Sequence, residues 1–539
     1  MRPSPHPSIT RNVLLSVFAL TGIVLAYFVA RFNFLTDDAF ILFRYSKNFA
    51  DGFGLVYNPG TNPPVEGYSE FLWAVLLGAV EWLHLDVTIW SRVLTVAGSF
   101  ATLFVLLDFA RRKFRLGIPA LLATGLFFAT NPTVGVWSTS GLSTSLFVLS
   151  IFVFFSALFL DEDNPRGIVA GVAGVATSLL RADGPYWIVC IGIVAILGFL
   201  WRRRADRGQA PVVGIFAPGP FRTAVLQTAA ILAVCGGIFL AWRLHTYGDY
   251  LPNTARAKVG MTALSLERGT DYLLSYWAML PVVPVVFGIG LAAMATRILK
   301  GSRAALGAMD AATLAVAATF IYSLLVGGDF MAMGRFFLPA APFLALLFGV
   351  SIEKLIQARL AIGIALFSVG IFTNVQPSFG KHLVPKSVRE QLHFRWTNEN
   401  YSNEFNYWRG MSNRCAQWAQ VGRALKLHAK PTDSLVLVPI GAIGYYSGMV
   451  IFDSMGLTNK QVLEASEPGT KRSSPGHDRL VPMQFFDRYE PTYRQAKLLP
   501  LWTKPADIAA LNADPKVQLI ELREEDGFAP GSILLLRKW

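Results

Sequence analysis

Apolar runs of about 20 residues, long enough to cross a hydrocarbon core of about 30 Å, recur through the first two-thirds of the chain and then stop. The pattern predicts spanning helices near 13–30, 88–109, 117–133, 144–160, 167–181, 186–201, 223–242, 272–296, 309–326, 336–353 and 360–375. The first run, Val13 to Ala30, follows Arg2 and Arg11 as the core of a signal sequence would. No small-residue cleavage site precedes Asp37, so the run is read as a first spanning helix. The stretch 69–85, "SEFLWAVLLGAVEWLHL", is short for a span and carries Glu81 and His84, which predicts an external interfacial or re-entrant helix.

Basic clusters set the orientation. Arg111, Arg112, Lys113 and Arg115 form one, and Arg202, Arg203, Arg204 and Arg207 a second. Arg297, Lys300 and Arg303 make a third, and Lys354 with Arg359 a fourth. Lys and Arg collect in cytoplasmic loops; placing all four clusters there with the N-terminus gives about eleven spans and leaves everything after residue 375 outside. The expected architecture is therefore a polytopic α-helical membrane domain over 1–375, with residues 31–87 as its first external loop, followed by a soluble external α/β domain over 376–539. Within that domain "DSLVLVPIGAIGYYSGMVIFDSMG" reads as strand, turn, strand, and "VQLIELREEDGFAPGSILLLRKW" as a terminal hairpin.

Composition agrees with this picture and narrows it. Of 539 residues 53% are hydrophobic and only 15% charged, against roughly a quarter charged in soluble domains. The net charge of +13 is accounted for by the cytoplasmic basic loops, so no nucleic-acid partner is expected. Three cysteines, Cys190, Cys235 and Cys415, are too few and too scattered for a disulfide framework or a thiolate metal cluster.

With this topology the polar motifs gather on the external side. Asp37, Asp38, Arg44 and Glu66 lie in the first loop, "STSGLSTSLF" at 138–147 precedes the fourth span, and "LLRADGPYW" at 179–187 joins the fifth and sixth. "HTYGDYLPNTARAK" at 245–258 follows the seventh, and "GGDFMAMGRFFLP" at 327–339 links the ninth and tenth. Ionisable residues at membrane depth are costly and mark sites. Arg44, Arg181, Arg256, Lys258 and Arg335 suit the oxygens of a phosphate headgroup. A carboxylate can take the proton of an incoming hydroxyl. A lipid phosphate leaves without protonation, so no second acid is needed, unlike glycoside hydrolysis.

The segment "DDAFILFRYSKNFADGFGLVYNPG…VEGYSEFLW" resembles the first loop of the bacterial GT-C arabinofuranosyltransferase group, and "LLRADG", "LPNTARAK", "GGDFMAMGRFFLP" and "GAIGYYSGMVIFDSMGLTN" extend the resemblance over nearly the whole chain. The resemblance implies a GT-C-type fold, a polyprenyl-phosphate sugar donor, a catalytic aspartate in the first external loop and a periplasmic C-terminal domain, in a bacterial inner membrane. Carried over by motif, Asp38 or Asp37 is the catalytic residue. The chain departs from the group at "GLST", where relatives often have a glutamate in place of Ser143.

These readings stand beside plainer ones. Thr36 can cap a helix whose first turn holds Asp37 and Asp38, where acids suit the macrodipole. Arg181 with Asp183, and Arg335 with Asp329, can be ion pairs that staple helix ends. Glu66, Tyr68, Asp183, Asn253, Asp329 and the loop residue His477 are candidate substrate contacts. Trp137, Trp187 and Trp242 read as interfacial anchors. Asp37, Asp38, Asp183 and Asp329 could hold a divalent cation, although the spacing calls for no metal or other cofactor. The expected activity is transfer of a pentofuranosyl group, D-arabinofuranose by the resemblance, from a polyprenyl monophosphate to a periplasmic cell-wall glycan or pilin. The alternatives are transfer of a hexose or aminosugar to lipopolysaccharide, and a lipid-linked-sugar flippase, which would place charge at the midplane and show inverted repeats.

Overall fold

The computed structural model describes residues 9–61, 63–207, 218–258, 262–392, 403–430, 432–466 and 481–539. In chain order the helices are α1 (Arg11–Arg31), α2 (Asp37–Ala50), α3 (Phe71–Trp82), α4 (Val87–Phe114), α5 (Ile118–Ala129), α6 (Pro132–Trp137), α7 (Thr144–Phe159), α8 (Gly167–Leu180) and α9 (Gly184–Arg207). They continue as α10 (Pro220–Tyr247), α11 (Asn253–Lys258), α12 (Ala263–Met279), α13 (Val282–Leu299), α14 (Ala308–Leu325), α15 (Ala341–Ala358), α16 (Leu360–Val375) and α17 (Glu404–His428). The chain divides into two compact units, one of residues 1–34, 91–243 and 260–408, the other of residues 35–90, 244–259 and 409–539.

The first unit is a helical bundle. Eight helices among the described residues have the length and hydropathy to cross a membrane, and α5, α7 and α8 are shorter apolar helices. Helix α15 is its axis: an unbroken run from Ala341 to Ile352 is buried, and Phe348 stacks on Phe127 of α5 at 4.4 Å. Small residues allow the close crossings, since a Cβ at Gly349 would overlap the Thr124 hydroxyl and one at Gly125 would lie 2.7 Å from Thr21. An ion pair between the half-buried Arg297 and the buried Asp310 fixes α13 against α14.

Two expected spans change shape. The run 272–296 is broken at Leu280, between α12 and α13, because Pro281 has no N–H and its ring excludes the helical turn before it. The run 117–133 ends at Ala129; Asn131 then caps the separate helix α6, which opens on Pro132.

The second unit is built around a mixed sheet of β1 (Ser434–Leu437), β2 (Val450–Asp453), β3 (Tyr493–Leu498), β4 (Val517–Glu521) and β5 (Ile533–Lys538), in the order β2-β1-β3-β5-β4. The terminal hairpin is present as the antiparallel pair β4–β5. The expected strand–turn–strand at 433–456 is instead strand–helix–strand: β1 and β2 are parallel, and parallel strands need a crossover, here carried by α18 (Gly441–Ser447). First-loop helix α2 packs on both α3 and α18. Helix α3, the interfacial segment of the sequence reading, has 12 residues and so spans only about 18 Å.

Candidate functional site

The candidate residues fall into two groups, one in each unit. In the second unit, α2 begins at the acidic pair. The Thr36 side chain makes no capping bond; the first turn is fixed instead by Asp37, whose carboxylate accepts the Ala442 N–H at 2.7 Å and the Gly441 N–H at 3.1 Å. Those amides open α18, where unsatisfied N–H groups favour an anion. Only glycine fits at 441, because a Cβ there would collide with the Asp37 main chain. Burial pushes the Asp37 carboxyl up to about 6, the Asp38 charge adds to this, and the two amides pull the other way. Asp38 is half-buried, and its carboxylate makes no hydrogen bond among the described residues. The two acids thus differ: one is seated on backbone amides, the other is open.

Arg44 is buried, and the protein itself uses its guanidinium. Nε donates to Tyr57 O, Nη1 to Gly444 O, and Nη2 to Asn58 Oδ1 and Met449 O, all within 2.7–2.9 Å. Its carbon-centred charge lies 4.4 Å from the Tyr57 ring centroid, and the Tyr57 hydroxyl donates to Ile440 O. A phosphate ligand was expected here; what the geometry provides is a strut between α2, the 57–58 loop, the middle of α18 and the turn after it.

The same unit gathers the other first-loop candidates. Glu66 and Tyr68 are both buried. The Glu66 carbonyl accepts from the Asn253 N–H, and the Asn253 side chain donates to Gly456 O at 2.6 Å and Leu457 O at 2.9 Å. The Tyr68 hydroxyl meets that of Tyr247 at 3.0 Å, and Tyr247 donates on to Leu55 O. The 245–258 segment is thereby tied to the first loop and to the turn after β2. On its short helix α11, Arg256 pairs with Asp249 at 2.6 Å and remains about half exposed (48%). Lys258 ends that helix, and His477 lies outside the described residues.

In the first unit both arginines are carboxylate-paired. Arg181 leaves α8 in an extended conformation and forks onto Asp183 at 2.8 and 3.0 Å. Gly184 makes the turn possible, since a Cβ would overlap the Thr177 carbonyl. Burial alone would raise the Asp183 carboxyl, but Arg181 and the Tyr322 hydroxyl more than offset it and hold it below its usual range. Arg335 forks onto Asp329 at 2.7 and 3.2 Å. It is aimed by a left-handed pair, Met333 and Gly334 at φ 57° and 65°, pinned where Thr133 donates to Met333 O and Glu404 accepts its N–H. A β-side chain in that region is strained, which is common where a side chain must be re-aimed.

Arg181, Asp183 and Arg335 line one narrow cleft of about 10 Å³, room for a single water. Sequence reasoning named none of its six further residues as site contacts: Thr144, Phe147, Trp187, Tyr322, Phe336 and Pro339. Trp187 and Trp137, read as interfacial anchors, are 1% and 0% exposed: burial in the bundle wins over the headgroup layer. Trp137 donates to Ala332 O. Ser143, the residue at which "GLST" departs from the group, donates to Leu180 O across the α7–α8 packing. Among the described residues no group of three or more His, Cys, Asp or Glu is placed to hold a metal ion.

Residues 405–519 match the model of a domain of unknown function (DUF8728). No curated protein matches the chain. In fold the chain is similar to the crystal structure of ArnT from Cupriavidus metallidurans bound to undecaprenyl phosphate, at 13% identity, covering 98% of each chain with a TM-score of 0.54. The apo form of that protein gives 13%, 97% of each chain and 0.53. The archaeal oligosaccharyltransferase AglB from Archaeoglobus fulgidus, in complex with an inhibitory peptide and a dolichol-phosphate, gives 11%, 82% of this chain, 64% of that chain and 0.51. The likeness establishes the fold, a GT-C-type multi-pass membrane bundle with a small C-terminal sheet domain.

Proposed function

We propose that this chain is a membrane glycosyltransferase that takes a sugar from a polyprenyl monophosphate and passes it to an acceptor hydroxyl, with Asp38 as the general base. The observation that carries the reading is the asymmetry of the acidic pair, Asp37 bonded to two amides and Asp38 unbonded among the described residues. Support comes from the fold, since a solved neighbour of similar architecture holds undecaprenyl phosphate.

In the reaction the acceptor hydroxyl gives its proton to Asp38 while its oxygen attacks the anomeric carbon. The bond from that carbon to the phosphate oxygen breaks, and the polyprenyl phosphate leaves with the electron pair. A carboxylate base of this kind contributes on the order of 10²–10⁴-fold. Arg256, half exposed on α11, and Lys258 are the cations proposed to meet the phosphate, in preference to Arg44, whose donors are committed to the protein. The sugar is proposed to be a pentofuranose, D-arabinofuranose by the resemblance of the first-loop motif. The acceptor is proposed to be a cell-wall glycan or pilin on the periplasmic side of a bacterial inner membrane.

The test incubates purified protein with synthetic farnesyl-phosphoryl arabinofuranose and candidate acceptors. Donor-dependent transfer or slow hydrolysis is expected. Donor that remains intact with every acceptor, under conditions where the protein is folded, overturns the reading.

A further inference from the structure

A cavity of about 390 Å³ opens in the first unit, lined by Arg112 in the last turn of α4, by Ala157 and Leu160 at the end of α7, and by Asp161, Asn164 and Arg166 of the loop that leads into α8. One water needs only about 10–15 Å³, and ligand pockets run from about 300 to 1,000 Å³. The bundle holds the walls in place. Glu162 of the same loop pairs with Lys113 of α4 at 2.6 Å and with Arg202 of α9 at 2.5 Å, and accepts the N–H of Ala308 at the start of α14. The cavity therefore lies at the end of the bundle where basic clusters from α4 and α9 meet.

Its charge says what it would take. The Arg166 guanidinium makes no hydrogen bond or ion pair among the described residues. Arg112 has only Asp108, at 3.5 Å, and Arg111 holds that same carboxylate at 2.7 Å. Asp161 is occupied by its own turn, with Oδ1 accepting the Asp163 and Asn164 N–H groups at 3.3 and 3.2 Å. Three guanidiniums thus stand against two carboxylates, which leaves one positive charge unmatched. Arg166 also precedes the 14-residue helix α8, whose opening amides no side chain caps, and such an end favours an anion. Guanidinium forks match phosphate oxygens, and one unmatched charge suits the single negative charge of a phosphodiester. Beside this polar wall, Ile168, Val169 and Val172 of α8 are 58%, 42% and 59% exposed and share one face, an apolar ridge that begins two residues after Arg166. A phosphodiester that carries acyl chains fits both surfaces at once.

We infer that this cavity holds the phosphodiester headgroup of an anionic membrane lipid between Arg112 and Arg166, with its acyl chains along Ile168, Val169 and Val172. The bound lipid braces the α7–α8 loop against the end of α4. Nothing in the inference depends on the proposed sugar transfer, since the cavity and its cations lie in the first unit, apart from the acidic pair of the second.

The test titrates phosphatidylglycerol into the full chain purified in a neutral detergent and reads the melting temperature. The parent is compared with Arg166→Gln, Arg112→Gln and a control, Lys300→Gln, which removes an exposed cation outside the cavity. Without added lipid Arg166→Gln should melt with the parent, because the side chain it replaces is exposed and unpaired among the described residues. Phosphatidylglycerol should raise the melting temperature of the parent. The half-maximal lipid concentration should rise about fivefold for each cavity variant, the factor one basic residue contributes at an anionic surface, and stay at the parent value for the control. Phosphatidylcholine, whose headgroup has no net charge, should give no variant-sensitive shift. The inference is overturned if phosphatidylglycerol leaves the parent unmoved, if the control is weakened as much as the cavity variants, or if phosphatidylcholine acts as phosphatidylglycerol does. Glycerophosphoglycerol, the same headgroup without acyl chains, separates the two sources of a phosphodiester. An Arg166-sensitive shift at concentrations equal to those of the lipid would assign the cavity to a soluble ligand and overturn the lipid.

Discussion

Arg44→Met separates a structural role from a ligand-binding one. The substitution removes four hydrogen bonds of 2.7–2.9 Å. Their full worth is not lost, because three of the acceptors keep a second donor: Tyr57 O has the Asn48 side chain, Gly444 O the Gly448 N–H and Asn58 Oδ1 the Ile451 N–H. Met449 O is left without a donor among the described residues. The guanidinium is also buried with no carboxylate bonded to it, and removing it recovers part of its desolvation cost. Setting bonds of about 1.5–3 kcal/mol each to a charged donor against those two offsets leaves a net loss of about 3 kcal/mol. For a unit of this size that lowers the melting temperature by about 6–12 °C. Thermal unfolding of the detergent-purified variant reads the stability, and titration with donor lipid at a temperature where it is folded reads the affinity. Expected are the full melting shift and donor affinity within about threefold of the parent. An unshifted melting temperature with donor affinity lost tenfold or more would refute the strut and restore Arg44 as a phosphate ligand.

The remaining expectations test neighbouring parts of the same geometry. Gly441→Ala puts a Cβ into the Asp37 main chain and should cut transfer sharply, whereas Gly448→Ala meets no atom and should cost only about 1–2 kcal/mol of left-handed strain at φ 69°; equal effects in the transfer assay would contradict the seating of Asp37. Asp37 has a folded pKa raised from 3.8 to about 6, so its stabilising contribution is present below pH 4 and is lost as pH rises through about 6. Asp37→Asn should therefore gain on the parent between pH 5 and pH 8, by at most about 3 kcal/mol, and melting curves showing the reverse trend would mean that the amides outweigh burial. Asp329→Asn strips the buried Arg335 of its counter-charge and should destabilise by about 3–5 kcal/mol; Arg335→Met added to it should recover part of the loss, and thermal unfolding in which the double variant is worse than the single would deny the pairing.

The bundle was legible because a lipid solvent demands long apolar runs, and the run lengths are written into the chain. The break at Leu280 was hidden by its apolar neighbours, although Pro281 carried the signal. Strand β1, helix α18 and strand β2 were read with the helix as a turn, because "GAIGYYS" is short and holds two glycines. Those glycines were themselves the signal of close approach: Gly441 meets Asp37, and Gly444 meets the Tyr57 hydroxyl. What no local pattern could give is a contact 404 positions away, such as the Asp37 carboxylate on the Gly441 amide. For the same reason Arg44 read as a cation facing a ligand, and its partners Gly444 and Met449 lie 400 and 405 residues on. Trp187 was misjudged because tryptophan near a span end usually marks the headgroup layer, and only packing shows it enclosed.

The most direct measurement compares the pseudo-first-order rate of transfer from synthetic polyprenyl-phosphoryl sugar for Asp38→Asn and Asp37→Asn, with folding of both verified by melting. If Asp38 takes the acceptor proton, its amide variant should lose on the order of 10²–10⁴ in rate while Asp37→Asn, which keeps one acceptor for the α18 amides, loses markedly less. A rate for Asp38→Asn within a few-fold of the parent, or a larger loss at Asp37, would contradict the assignment.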